Sequence, residues 1–152
     1  SLFNISIYYK MSNMEMLNKL SVGTADTKNI EIEYENEKVN FTIRPLTSGE
    51  LSTLQKMEKK NLNVKIAMKN GKRQVTEEVG DIDLDSSEIT ENQRKVLYKA
   101  VALALSIDDE KINPEDVHKM KIGVPEEIFT KVMEFSNISD RDLLALKSFR
   151  KN

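Results

Sequence analysis

Two neighbouring stretches of the chain alternate apolar and polar residues with a period of two. Ile30, Ile32 and Tyr34 are interleaved with Glu31, Glu33 and Glu35, and Val39, Phe41 and Ile43 with Asn40, Thr42 and Arg44. Successive side chains of a strand point to opposite faces, so each stretch predicts a strand with one apolar side. Polar residues 35–38 join them, which predicts an antiparallel hairpin. Pro45 removes a ladder donor and ends the second strand. Thr47, followed three positions later by Glu50, is a capping-box signature that opens a helix with Leu51, Leu54 and Met57 on one face.

Beyond residue 60 the pattern supports two readings. Val64, Ile66 and Met68 alternate with Lys65, Ala67 and Lys69, and Asn70-Gly71 precedes a short run over 72–75. Asn-Gly suits the positive φ of a tight hairpin turn, so a second hairpin is the expectation here. The competing reading is a helix continuing from Leu51 through Met68.

The longest nearly unbroken apolar run is residues 96–105, Val-Leu-Tyr-Lys-Ala-Val-Ala-Leu-Ala-Leu. Ala and Leu favour helix, and the pattern predicts one over 90–106 with Thr90 and Gln93 as a further capping box. From Ala100 onward this helix is apolar on every side and must be covered all round. Three short helices follow. Asn113-Pro114-Glu115-Asp116 starts the first, with a cap, a proline at the first helical position and acids in the first turn. Gly123 and Pro125 stop it and restart the next, whose Ile128, Val132 and Phe135 share a face beside Phe129 and Met133. Ser139 and Asp142 are expected to cap the last, which carries Leu143, Leu144, Leu146 and Phe149.

Ahead of the hairpin, residues 14–20 make one short amphipathic piece before a polar loop. Residues 1–10 read equally as a strand or as an upstream extension outside the fold. The expected organisation is an N-terminal extension over 1–28, expected to be flexible, and a single α+β domain over 29–152. In that domain one or more N-terminal antiparallel hairpins pack on a mainly helical body with a buried central helix.

Composition narrows the function classes. A length of 152 residues supports one domain with a real core. The absence of cysteine excludes disulfides and thiolate metal sites. A net charge of −2 gives no whole-domain pull toward nucleic acid or anionic lipid. The apolar run at 100–105 is far shorter than the ~20 residues of a membrane span, and no basic region precedes an apolar one at the N-terminus. A cytoplasmic location without membrane contact is therefore expected, and the Asn-x-Ser/Thr triplets at Asn4, Asn40 and Asn137 carry no sugar on that reading.

Charge is segregated. Residues 56–73 hold seven bases and one acid, whereas 77–91 hold seven acids and no base. Solvated faces are the simplest account. Lys69, Lys72 and Arg73 could contact phosphate from a hairpin tip, although no base-stacking aromatic lies in that segment and nucleic acid is not the expected partner. Asp81, Asp83 and Asp85 have the spacing that begins a calcium loop, but its later positions hold Ser86 and Asn92 in place of Gly and Glu, which leaves a solvated acidic linker. His118 is the sole histidine; with neither cysteine nor a nucleophile motif beside it, it reads as a partly exposed helix residue. Five scattered glycines form no phosphate loop. No enzyme activity, cofactor or metal is expected.

The segment Phe41-Thr-Ile-Arg-Pro-Leu-Thr-Ser-Gly-Glu-Leu51, the central apolar helix, and the segment Asp116-Val-His-Lys-Met-Lys-Ile-Gly-Val-Pro-Glu-Glu-Ile-Phe-Thr-Lys-Val-Met-Glu-Phe-Ser136 together resemble phage and prophage tail assembly chaperones over about residues 29–137. The resemblance implies a non-enzymatic protein that holds the long, apolar, helical tape-measure protein soluble and recruits tail-tube subunits. The expected partner presents an amphipathic or apolar helix, and self-association stays open. In physical terms this calls for an apolar groove between the central helix and the C-terminal helices. Met120, Ile128, Val132, Met133 and Phe135 are its candidate lining; the simpler reading of the same stripe is ordinary core. The alternative function is a nucleic-acid-associated regulator using residues 56–73.

Overall fold

A computed structural model describes residues 11–70 and 86–149, with side chains over those residues except 61–70 and 86–90. In chain order its elements are α1 (Asn13–Lys19), β1 (Lys28–Tyr34), β2 (Glu37–Ile43), α2 (Ser48–Asn70), α3 (Ser86–Leu105), α4 (Pro114–His118), α5 (Val124–Phe135) and α6 (Leu144–Phe149). The expectations placed on residues 1–10, 72–75 and 77–85 lie outside the described residues.

The alternating pattern forms the expected hairpin. Lys28 pairs with Ile43 and Tyr34 with Glu37 in an antiparallel ladder. The connection shortens to Glu35 and Asn36, with φ of 48° and 67°, the backbone of a two-residue turn that follows the twist of the strands. Ile30, Ile32 and Ile43 are buried from one face of this sheet. The fold is thus α+β, with an antiparallel hairpin on a mainly helical body.

At the start of α2 the capping box closes as read. Thr47 N–H donates to Glu50 Oε1 at 2.9 Å, and Glu50 N–H donates to Thr47 Oγ1 at 3.1 Å. The helix then runs without a break to Asn70, so residues 64–68 are helix and not the first strand of a second hairpin. Lys65, Ala67 and Met68 are good helix formers that propagate a nucleated helix at little cost, which outweighs the short alternation. A second correction concerns α3, which already begins at Ser86. Thr90 lies inside the helix and not at its start, because serines and acids before it suit a first helical turn.

Around α3 pack α2, α4, α5, α6 and β2. Val96, Leu97, Ala100, Val101 and Ala104 are fully buried, and Leu103 and Leu105 are partly so, which supplies the cover the apolar run demands. The Arg44 N–H donates to the Ala104 carbonyl at 3.0 Å, joining the end of β2 to the last turn of α3.

Beyond α3, Asn113 N–H donates to Asp116 Oδ2 at 2.8 Å as α4 begins with Pro114. Gly123, at φ 90°, is the left-handed residue that opens α5; it does not stop α4 as expected, since that helix has already ended at His118 with Lys119 as its C-cap. Asn137 at φ 59° closes α5, and the Ile138 N–H donates to the Met133 carbonyl at 2.9 Å. Asp142 accepts from Ser139 N–H at 2.8 Å and from its hydroxyl at 3.1 Å. That local turn precedes α6 and does not cap it, a further correction, since the helix starts two residues later at Leu144. No helix among the described residues is long and apolar enough to cross a membrane.

Candidate functional site

α1 is built locally. The Ser12 hydroxyl accepts from Glu15 N–H at 3.1 Å, and Lys19 sits in the last turn, where its charge suits the helix dipole. None of its residues is buried. Met14 is 64% exposed, Met16 47%, Leu17 59% and, one residue past the helix, Leu20 87%. At 100° per residue these four share an arc of about 160°, opposite Glu15, Asn18 and Lys19. The result is an amphipathic element whose apolar arc has no cover among the described residues. Ile122, between α4 and α5, is 98% exposed.

The loop after α1 lies at a cleft of about 330 Å³, where Val22, Gly23 and Thr24 face Arg44, Glu50 and Ser106. Arg44 binds both Glu50 oxygens, at 2.9 and 2.8 Å, and donates further to the Pro45 carbonyl at 3.1 Å and the Ser106 carbonyl at 3.3 Å. The guanidinium holds the Glu50 carboxyl below the usual carboxylate range, burial opposing it, and Glu50 in turn raises Arg44. Each group is occupied by the other and by backbone, so the pair clamps β2, α2 and α3 together and presents no acid or base to the cleft.

His118 is exposed on α4, as expected, and meets the Tyr98 ring edge-on at a centroid distance of 4.5 Å. A cleft of about 380 Å³ beside it is bordered by Met57, Lys95, Lys99 and Glu115. The described residues contain no group of three or more His, Asp or Glu that could hold a metal ion.

The candidate groove residues do not come together on a surface. Ile128, Val132 and Met133 are at 0–1% exposure in the core. Met120 is half-buried beside Phe41 and Leu105 at another cleft, and Phe135 lies half-buried under the Lys28 ammonium, 5.9 Å from the ring centroid. The reason is physical: α5 is pressed between β1, α3 and α6, which leaves its apolar stripe no open side. Of the candidate phosphate contacts, Lys69 belongs to the helical stretch without described side chains, and Lys72 and Arg73 lie outside the described residues.

Glu58 passed unnoticed in the sequence. Its carboxylate accepts from Leu144 N–H at 3.0 Å and Ala145 N–H at 2.7 Å, and so caps α6 from α2. Burial pushes this carboxyl above the usual range, against the pull of the two N–H groups. Nothing near either partner in sequence announces a contact between residues 86 positions apart. In comparisons with known proteins, no family model, curated protein or solved structure matches the chain.

Proposed function

We propose that this chain is a non-enzymatic binding protein of the tail-assembly-chaperone kind, which holds an apolar helical, tape-measure-like partner soluble during assembly. The observation that carries the reading is α1, a capped helix with Met14, Met16, Leu17 and Leu20 all open to solvent. Methionine and leucine on one helical arc suit a partner of apolar helical surface, because the flexible thioether adapts to varied shapes. The resemblance over residues 29–137 supplies the biological setting.

Light scattering from a synthetic Leu/Ala-rich amphipathic peptide, with and without the protein, tests the reading. The wild-type chain should suppress aggregation near equimolar ratio. The combined variant Met14→Ser/Leu17→Ser/Leu20→Ser should lose that effect while its thermal melt stays put, because these side chains are largely exposed and outside the core of the described residues. Equal protection by the variant would sink the reading. So would the absence of a tape-measure or tail-tube gene beside the one encoding this chain.

A further inference from the structure

The pairing of the hairpin decides which backbone groups of β2 are left over. Its two-residue turn makes Tyr34 and Glu37 a hydrogen-bonded pair, and such pairs recur at every second position: Ile32 with Val39, Ile30 with Phe41, Lys28 with Ile43. The N–H and C=O groups of Asn40 and Thr42 therefore point away from β1. Arg44, next in that series, spends its outward N–H on the Ala104 carbonyl at 3.0 Å. Asn40 and Thr42 are exposed, and their backbone groups have no partner among the described residues.

Beside that edge lies a cleft of about 480 Å³. The chain leaving α3 turns back on itself and does not pair with β2: the Glu110 N–H donates to the Ile107 carbonyl at 3.1 Å, and Asp108 takes a φ of 57°. Phe41, Leu105, Ile112 and Met120 give the cleft an apolar wall. Asp108, Glu110 and Asp116 give it three carboxylates, and no lysine, arginine or histidine borders it. Asp116 Oδ2 accepts from the Asn113 N–H, whereas Asp108 and Glu110 are exposed and have no ion pair among the described residues.

An open edge takes a strand, because added main chain satisfies the free N–H and C=O groups while alternate side chains enter the space beside it. The carboxylates decide the charge of that strand, since they attract basic side chains and repel acidic ones. We propose that the outer edge of β2 is a strand-addition site for an extended peptide that alternates apolar residues with lysine or arginine. Its apolar side chains pack on Phe41, Leu105 and Met120, and its bases face Asp108 and Glu110. A second copy of the chain fits less well, since two-fold pairing of β2 with itself sets one acidic cleft beside another. The site is separate from the α1 arc and does not depend on the partner-holding reading.

A fluorescein-labelled peptide, Lys-Val-Lys-Ile-Lys-Val-Lys, titrated with the full chain and followed by fluorescence anisotropy, tests the site. It should bind saturably, and at least about threefold more weakly at about 300 mM than at about 50 mM salt. The same peptide with glutamate in place of lysine should not bind. Asn40→Pro deletes an outward donor and leaves the β1 ladder intact, so it should weaken binding at least about tenfold. Asp108→Asn/Glu110→Gln should weaken it at least about threefold and flatten the salt dependence. On binding, the amides of Asn40 and Thr42 should gain protection from hydrogen exchange, which attraction to surface charge alone would not produce. If Asn40→Pro fails to fold, that protection in the wild type decides. The proposal is overturned by no binding, by equal binding of the glutamate peptide, or by unaltered affinity of a folded Asn40→Pro. Binding without protection at Asn40 and Thr42, or a dimer of the free chain that protects them, would overturn it as well.

Discussion

Two carboxylates on the same helix, Glu50 and Glu58, are both pushed up by burial, yet their pKa values end shifted in opposite directions. Glu50 receives two hydrogen bonds from Arg44 and one from Thr47 N–H, and its folded pKa is lowered. Stability from this group is complete above the unfolded value of about 4.3 and is lost as pH falls through the folded one. Desolvation of Glu58 outweighs its two backbone N–H partners and the nearby Lys59 charge, and its folded pKa is raised. Its contribution is complete below about pH 4.3 and is lost as pH rises through the raised value. Urea unfolding followed by circular dichroism at a series of pH values should separate them. The deficit of Glu50→Gln relative to wild type should shrink on acidification, whereas that of Glu58→Gln should shrink on going from pH 4 to neutrality. Arg44→Met should cost about 2 kcal/mol at neutral pH, since it leaves a half-buried carboxylate and two carbonyls short of donors. Parallel pH profiles for the two glutamine variants would refute the assignment.

At the scale of elements, the turn between β1 and β2 makes a sharp case. Glu35 and Asn36 both carry positive φ, a conformation that suits Asn and Gly and strains glutamate. Replacing them by Asn-Gly should raise stability by about 0.5–1 kcal/mol, or roughly 2–3 °C in Tm, and a lower melting point would refute the turn. The hairpin was legible because period two over Ile30–Tyr34 and Val39–Ile43 has no helical rival. The same alternation over Val64–Met68 misled, since five residues of Val, Lys, Ile, Ala and Met also fit a helix already nucleated at Thr47. The α5 stripe was legible as apolar, but whether it faces a groove or a core depends on where α6 docks. That docking hangs on Glu58, Gln55 and Arg94, whose partners lie far away in sequence. α1 was legible as amphipathic; that no described residue covers its apolar arc belongs to tertiary structure and leaves no local trace.

For the whole molecule, the decisive question is whether α3 stands in a closed shell or beside a standing gap. The sequence demands cover on all sides, and five elements supply it. Two opposite substitutions on α3 discriminate between these cases. Leu97→Ala removes a fully buried side chain and should cost about 3 kcal/mol. Ala100→Leu adds volume at a site with no exposure; in a closed shell it forces neighbours apart and should cost about 1–3 kcal/mol. Beside a standing gap the larger residue would fill space, and the cost would vanish or turn into a gain. Each variant should lower the denaturation midpoint, and unchanged m-values would place the effect on stability and not on compactness. A neutral Ala100→Leu would mean that the cover of α3 leaves a gap beside that residue. A costly one means that α3 stands in a closed shell, its cover complete around the apolar run.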